Sequence, residues 1–269
     1  MPNWKSLAEL QNDAVAFVKL IHVLFGVYAY EWVLSLDFDF GFLLGRRKFR
    51  WPMIFYFANR YLLLSALVGI PLIHSIISVD VTSKVSCQAL YTFNQIAGSA
   101  AMGLANINLS IRTMAIWSQN KYIIGLLILI TLGHWSLILQ GIQLKATWVD
   151  GLGCVITQTN NTILAANFIY SMCFDFIVLV LNTYKLLKFN DKTANLLGRS
   201  RLSRMLFEDG LIFFSIAFLA NLFATVFMLL DLNLIMTVIN VPAIIVSSIV
   251  ACRAVRRLTN FANSGLEVQ

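Results

Sequence analysis

Seven nearly continuous apolar stretches constrain this chain more than any other feature, because a run of about 20 apolar residues is long enough to cross the bilayer core as a helix. They lie at residues 14–36, 51–77, 89–117, 122–144, 163–187, 210–230 and 234–251. The runs are apolar throughout rather than alternating with period two, which favours helices over the strands of a barrel. Only Asp231, Leu232 and Asn233 separate the last two stretches, and a tight hairpin is expected there because one span of that combined length would overshoot the membrane. The expected fold is an all-α membrane protein, a seven-helix bundle formed by residues 1–251, with 252–269 as a short tail.

Composition supports that reading. Of the 269 residues, 59% are hydrophobic and 12% charged, against roughly a quarter charged in an ordinary soluble domain. The net charge of +7 does not point to nucleic acid, because the basic residues stand at segment ends rather than in one patch. Residues 1–13, with Lys5, Glu9 and Asp13, lack the basic start and short apolar run of a cleavable signal, so the first span is expected to direct its own insertion.

Lysine and arginine are divided unevenly between the two sets of loops. One set holds fifteen, among them Arg46, Arg47, Lys48 and Arg50, then Arg112 and Lys121, then Lys185 to Arg204, then Arg253, Arg256 and Arg257; the other holds Lys5, Lys84 and Lys145. The positive-inside rule therefore predicts an outside amino terminus and a cytosolic carboxyl terminus. The sequon at Asn160 falls in a predicted outer loop, as a glycan would require. Cys87 and Cys154 also fall on that oxidising side, either bridged over the mouth of the bundle or as two free, half-buried thiols. Cys173, within a span, is expected to be a packing residue; Cys252, at the membrane edge, is a candidate for palmitoylation.

Ionisable groups inside spans need a reason, since each costs several kcal/mol unless it pairs or faces a cavity. Glu31 and Arg60 fall at similar depths on neighbouring antiparallel spans and are expected to clasp them together. Asp175 and His134 each lie twelve residues from the same end of their spans, about 18 Å deep at 1.5 Å per residue, and are candidates for a hydrogen-bonded pair, with a protonated, packed Asp175 as the competing reading. The third span carries Asn94, Gln95, Ser99, Asn106, Asn108 and Ser110 among small residues, which suits the centre of a bundle. Asn221 and Asn240 add polar groups on the last two spans, and Pro242 is expected to kink its helix. Asn94, Asn106, Asn108, His134, Asp175, Asn221 and Asn240 are thus candidates for a ligand cavity, with helix packing as the competing explanation. Arg112, Arg199, Arg201 and Arg204 are candidates for a cytosolic docking surface, or simply for a basic loop against anionic lipid. The sequence shows no hydrolase, zinc or phosphate-loop motif and no lysine in the seventh span, so no catalytic residue, metal or cofactor is assigned.

The block Tyr30-Glu31, Leu34-Ser35-Leu36-Asp37, the basic loop from Arg46 to Arg50, and Asn59-Arg60-Tyr61 resembles the amino-terminal region of a large family of uncharacterised multi-spanning proteins, mostly of basidiomycete fungi. Residues Leu109 to Trp117 resemble the same family's pattern at the end of its third span. The resemblance implies topology and no activity. A more distant likeness of architecture is to G-protein-coupled receptors, with the cysteine at the top of span three, its counterpart after span four, and Arg112 at the other end of span three; Ile111 before that arginine departs from the receptor pattern. Four functions stay open: a receptor-like protein of the plasma membrane with a heterotrimeric G protein as possible partner, a transporter or channel using Asp175, His134 and the amides of span three, a membrane scaffold, and an intramembrane enzyme.

Overall fold

A computed structural model of the protein describes residues 7–47, 49–78, 87–117, 120–141, 145–149, 153–158, 161–192, 199–229 and 235–267. Among the described residues the helices are α1 (Leu7–Leu34), α2 (Leu36–Leu43), α3 (Met53–Ser78), α4 (Cys87–Ile116), α5 (Lys121–Gln140), α6 (Asn161–Lys192), α7 (Arg199–Leu229) and α8 (Ile235–Glu267). An antiparallel hairpin, β1 (Lys145–Val149) and β2 (Gly153–Gln158), joins α5 to α6 and pairs Trp148 with Cys154. Every apolar stretch read from the sequence has become a long helix. Three, Lys121–Gln140, Thr162–Lys188 and Gly210–Leu229, are by length and composition able to cross a membrane, and the bent pair α1–α2 makes a fourth if it counts as one span. The chain is therefore a helical, membrane-type protein.

The break after α1 was not visible in the sequence. Helix α2 turns away from α1 by 46° because the chain stops being helical at Ser35, whose hydroxyl bonds back to the carbonyls of Glu31 (2.8 Å) and Trp32 (3.2 Å). A helix end leaves carbonyls without intrahelical partners. Arg60 of α3 takes one of them, donating from Nη2 to the Trp32 carbonyl at 2.5 Å, and also donates to Ser35 Oγ. Helix α2 ends at Leu43 with Leu44 as its cap, and the chain then turns at Gly45, whose φ of 67° lies in the left-handed region that glycine adopts without a Cβ penalty.

Helix α4 is the hub, packed against α3, α5, α6, α8 and β1. Its buried face is lined in the first half by small residues, with Ala97, Ala101 and Ala105 fully enclosed, so neighbouring backbones come close. At Gly103 a side chain would press on Trp135 and Ile138 of α5. The amino terminus of α5 is capped by Asn120, which accepts from the Tyr122 N–H at 3.1 Å. Pro242 lies inside α8, which runs from Ile235 to Glu267. Contacts such as Arg60 with Asp39, Asn182 with Thr113 and Arg47 with Asn260 gather the carboxyl ends of α1, α4, α6 and α8 beside the amino end of α3, and make one basic end to the bundle.

Candidate functional site

The basic end is held by two charge clusters, and neither is the Glu31–Arg60 clasp expected from the sequence. Arg60 is paired with Asp39 of α2, Nε to Oδ2 at 3.1 Å, with both side chains buried. Tyr56 (3.3 Å) and Tyr61 (3.2 Å) donate to the same carboxylate, and Arg60 donates to the Tyr56 hydroxyl at 3.0 Å. Glu31 turns instead to α8, accepting from Arg253 through both oxygens (2.9 and 2.5 Å) and from Arg256 (2.5 Å). The reason is the bend: by folding back into α2, the chain brings Asp39 to Arg60 and leaves Glu31 facing the end of α8. These clusters tie α1, α2, α3 and α8 together and are framework.

Arg112 is the second correction. Expected on a docking surface, it is among the largest fully buried side chains. Its guanidinium donates to the Ala254 carbonyl (3.3 Å), lies 6.0 Å from the Phe214 ring, and fills the space that a side chain at position 210 would need. Glycine at 210 is what admits an arginine between α4, α7 and α8. Arg199, Arg201 and Arg204 begin α7 as helical residues, and their side chains lie outside the described part.

Deeper in the bundle the polar groups of five helices meet. Asn106 of α4 uses both amide hydrogens, one toward His134 Nδ1 of α5 and one to Ser171 Oγ of α6, each at 3.2 Å. An amide N–H only donates, so the imidazole accepts at Nδ1 and carries its proton on Nε2. On the other side of Ser171 stands Asn221 of α7. Its Nδ2 donates to Asp175 Oδ2 at 2.6 Å and lies 3.4 Å from Ser171 Oγ and 3.3 Å from Ser247 Oγ of α8. His134 and Asp175 are therefore joined through Asn106, Ser171 and Asn221, in place of the direct pair read from the sequence. His134 also stacks on Tyr170, with ring centroids 5.5 Å apart.

This network is closed at both ends by apolar layers. Toward the hairpin lie Met102, Phe168, Ala224, Met228 and Ala243; toward the basic end lie Ala105, Leu109, Phe174, Ala217, Val250 and others. Asn106, Ser171, Asn221 and Ser247 each sit between a residue of one layer and a residue of the other along their own helices. All are at most 2% exposed, and Asp175 is 1% exposed. Hydrogen-bonding capacity nevertheless remains open: Asp175 Oδ1 and Asn221 Oδ1 are buried without a hydrogen-bond partner, while His134 is met by the Asn167 side chain. Such atoms cost about 1–3 kcal/mol each when nothing meets them.

The other cavity candidates are dispersed. Asn94 packs on Gly69 of α3, Asn108 donates to the Phe55 carbonyl (3.4 Å), and Asn240 is buried on α8 with neither amide atom bonded. Ser171, Ser247, Asn167 and Asn182 were missed by sequence reasoning. A signal existed on α6, where Asn167, Ser171, Asp175 and Asn182 recur at helical spacing and so share a face. Cys173 is exposed rather than packed, and Cys252 is buried beside Asn59 Nδ2 (3.7 Å), out of reach of an acylating enzyme. Cys87 opens α4 and Cys154 lies in the hairpin whose first strand packs on α4; their side chains, like Asn160 as a whole, lie outside the described residues. No protein-family model matches the chain, and no curated protein matches it.

Proposed function

We propose that this is a receptor-like seven-helix protein of the plasma membrane, with its amino terminus outside, its basic end in the cytosol, and a conformational change centred on the polar network of α4 to α8. The supporting observation is that network itself. Asn106, His134, Ser171, Asp175, Asn221 and Ser247 join five helices through hydrogen bonds, while Asp175 Oδ1 and Asn221 Oδ1 remain unbonded. Interhelical hydrogen bonds hold a bundle together in lipid, but buried polar atoms left unbonded cost stability, so packing alone does not account for them. A network with spare acceptors has a second way to bond, which is what a two-state element needs. Three helices long and apolar enough to cross a membrane, a fourth in the bent pair α1–α2, and the charge division of the loops support the topology. The similarity of the Tyr30–Tyr61 block to fungal multi-spanning proteins suits the same arrangement. A bridge from Cys87 to Cys154 would hold the hairpin over the outer mouth, and a glycan at Asn160 would mark the same side.

The test is association with a heterotrimeric G protein at the basic end. Co-purification that is released by guanine nucleotide, and that is altered by Asn106→Ala without loss of folded protein, is the expected result. Nucleotide-insensitive recovery at background level would remove the signalling reading. The relay from His134 to Asp175 favours one alternative, proton-coupled transport; proteoliposomes that move protons only when Asp175 is intact would establish it instead.

A further inference from the structure

A basic and aromatic cluster lies where α4 and α6 reach the basic end, outside both the charge clusters and the polar network. Trp117, the residue after α4, stacks on Tyr184 of α6 with ring centroids 6.2 Å apart and 7° between the planes. An ammonium stands against each ring: Lys185 Nζ is 5.1 Å from the Trp117 centroid and Lys188 Nζ 6.0 Å from that of Tyr184. A ring face holds a cation through its quadrupole, and residues three apart share one side of a helix. Among the described residues neither lysine takes part in an ion pair, in contrast to Arg60, Arg253 and Arg256 at the same end of the bundle. Two positive charges without a carboxylate, ordered on an aromatic platform, suit an anion. The neighbours of Tyr184 decide which kind. Phe176, Val180, Tyr184 and Leu187 are all exposed and recur every three or four residues, so they form one outward stripe of α6 that ends beside Lys188. In a membrane protein such a stripe meets acyl chains, and tyrosine and tryptophan at its end stand at headgroup level. A soluble anion would touch only the lysines. A phospholipid would meet them with its headgroup and Val180 and Leu187 with its chains.

We propose that Trp117, Tyr184, Lys185 and Lys188 form a binding site for a phospholipid whose headgroup carries a phosphate monoester. Such a group bears a charge of about −1.5 to −2 near neutral pH, which two ammoniums balance, and lysine meets phosphate as a point charge. The site also closes a seam. About one turn further in, Asn182 of α6 donates to Thr113 of α4 at 3.1 Å, and deeper still Asn106 donates to Ser171 between the same two helices. A lipid held across Trp117 and Lys185 therefore braces the α4–α6 contact on which the polar network is built. The site rests on the topology proposed above only for its leaflet: with the basic end in the cytosol, the lipid belongs to the inner one.

The experiment is native mass spectrometry of the full chain in detergent at fixed ionic strength, titrated with phosphatidylinositol 4-phosphate or with phosphatidylcholine of the same acyl chains. The unaltered chain is expected to bind the first lipid about tenfold more tightly or better. Lys185→Gln and Lys188→Gln should each weaken that binding about fivefold, the effect of one basic residue at headgroup level. Tyr184→Leu keeps both charges and removes the platform, and should weaken it about threefold. As a control for net charge, Arg46→Gln with Arg50→Gln removes two exposed charges from the loop before α3 and should leave affinity unchanged. Equal binding of the two lipids would overturn the proposal, and so would a loss in the loop control as large as in the lysine variants. Displacement of the lipid by glycerophosphoinositol 4-phosphate at equal concentration would overturn it in favour of a soluble phosphate. Should Lys185→Gln fail to fold, the exposed Lys188 decides: unchanged affinity in Lys188→Gln refutes the site. Binding in detergent does not depend on sidedness, so failure here would leave the topology and the G-protein test standing.

Discussion

Replacing Asp39 by asparagine separates the charge of the Asp39–Arg60 pair from its shape. Tyr56 and Tyr61 donate to different oxygens of Asp39 and the amide keeps only one of them, so what is lost is the negative charge 3.1 Å from Arg60 Nε together with one tyrosine acceptor. For charge centres about 4 Å apart and an effective dielectric of about 20, that attraction is about 4 kcal/mol. Stranding a buried partner typically costs about 3–5 kcal/mol. Arg60 keeps its bonds to Ser35, Tyr56 and the Trp32 carbonyl, which places Asp39→Asn near the lower end, at about 3 kcal/mol. Glu31→Gln is different, because solvent screens one of its two pairs: Arg253 is 51% exposed while Arg256 is 14% exposed, so the loss should be about 1–2 kcal/mol. Reversible unfolding in mixed micelles, arranged as double-mutant cycles, measures both. The Asp39–Arg60 coupling should exceed 1 kcal/mol, and the Glu31–Arg60 coupling should fall within about 0.5 kcal/mol of zero. A larger coupling for Glu31 with Arg60 than for Asp39 with Arg60 would refute the partner exchange and restore the simpler clasp.

Gly210→Ala should destabilise the folded chain by about 1–3 kcal/mol through overpacking against the Arg112 guanidinium; adding Arg112→Ala should relieve part of that cost, and strictly additive losses would show that the two do not meet. Cys87→Ser and Cys154→Ser should each abolish the same mobility difference between reduced and unreduced protein on a gel, a difference that only a bridge between them produces; a shift that survives either substitution would exclude the bridge.

Much of the fold was legible because its cause is local. Segment length and apolarity set where α1, α3 and α4 to α8 run, since a chain that cannot satisfy its backbone in lipid must satisfy it within each segment. The α2 helix was missed because Leu36 to Leu43 mixes Asp37 and Asp39 with aromatics and has neither the length nor the uniform apolarity of a span. Of the candidate site, Asn106, His134, Asp175 and Asn221 were recognised by residue type, since an ionisable or amide group in an apolar run stands out wherever it sits. Ser171 and Ser247 were not, because serine is unremarkable in a membrane helix until something polar is placed opposite it.

The sequence by itself determined the helical segments, the basic end and the set of polar residues that must be accommodated in the interior. Pairing was decided by tertiary structure. Glu31 and Asp39 are eight residues apart, and only the bend at Ser35 assigns one to Arg253 and Arg256 and the other to Arg60. Arg112 reads as a surface charge until Gly210 of a distant helix is seen to leave room for it. His134 and Asp175 share a depth, yet Asn106, Ser171 and Asn221 stand between them. Depth along a helix follows from counting residues at 1.5 Å each; which neighbour lies at that depth depends on how the helices are rotated and packed, and that is set by the whole core at once.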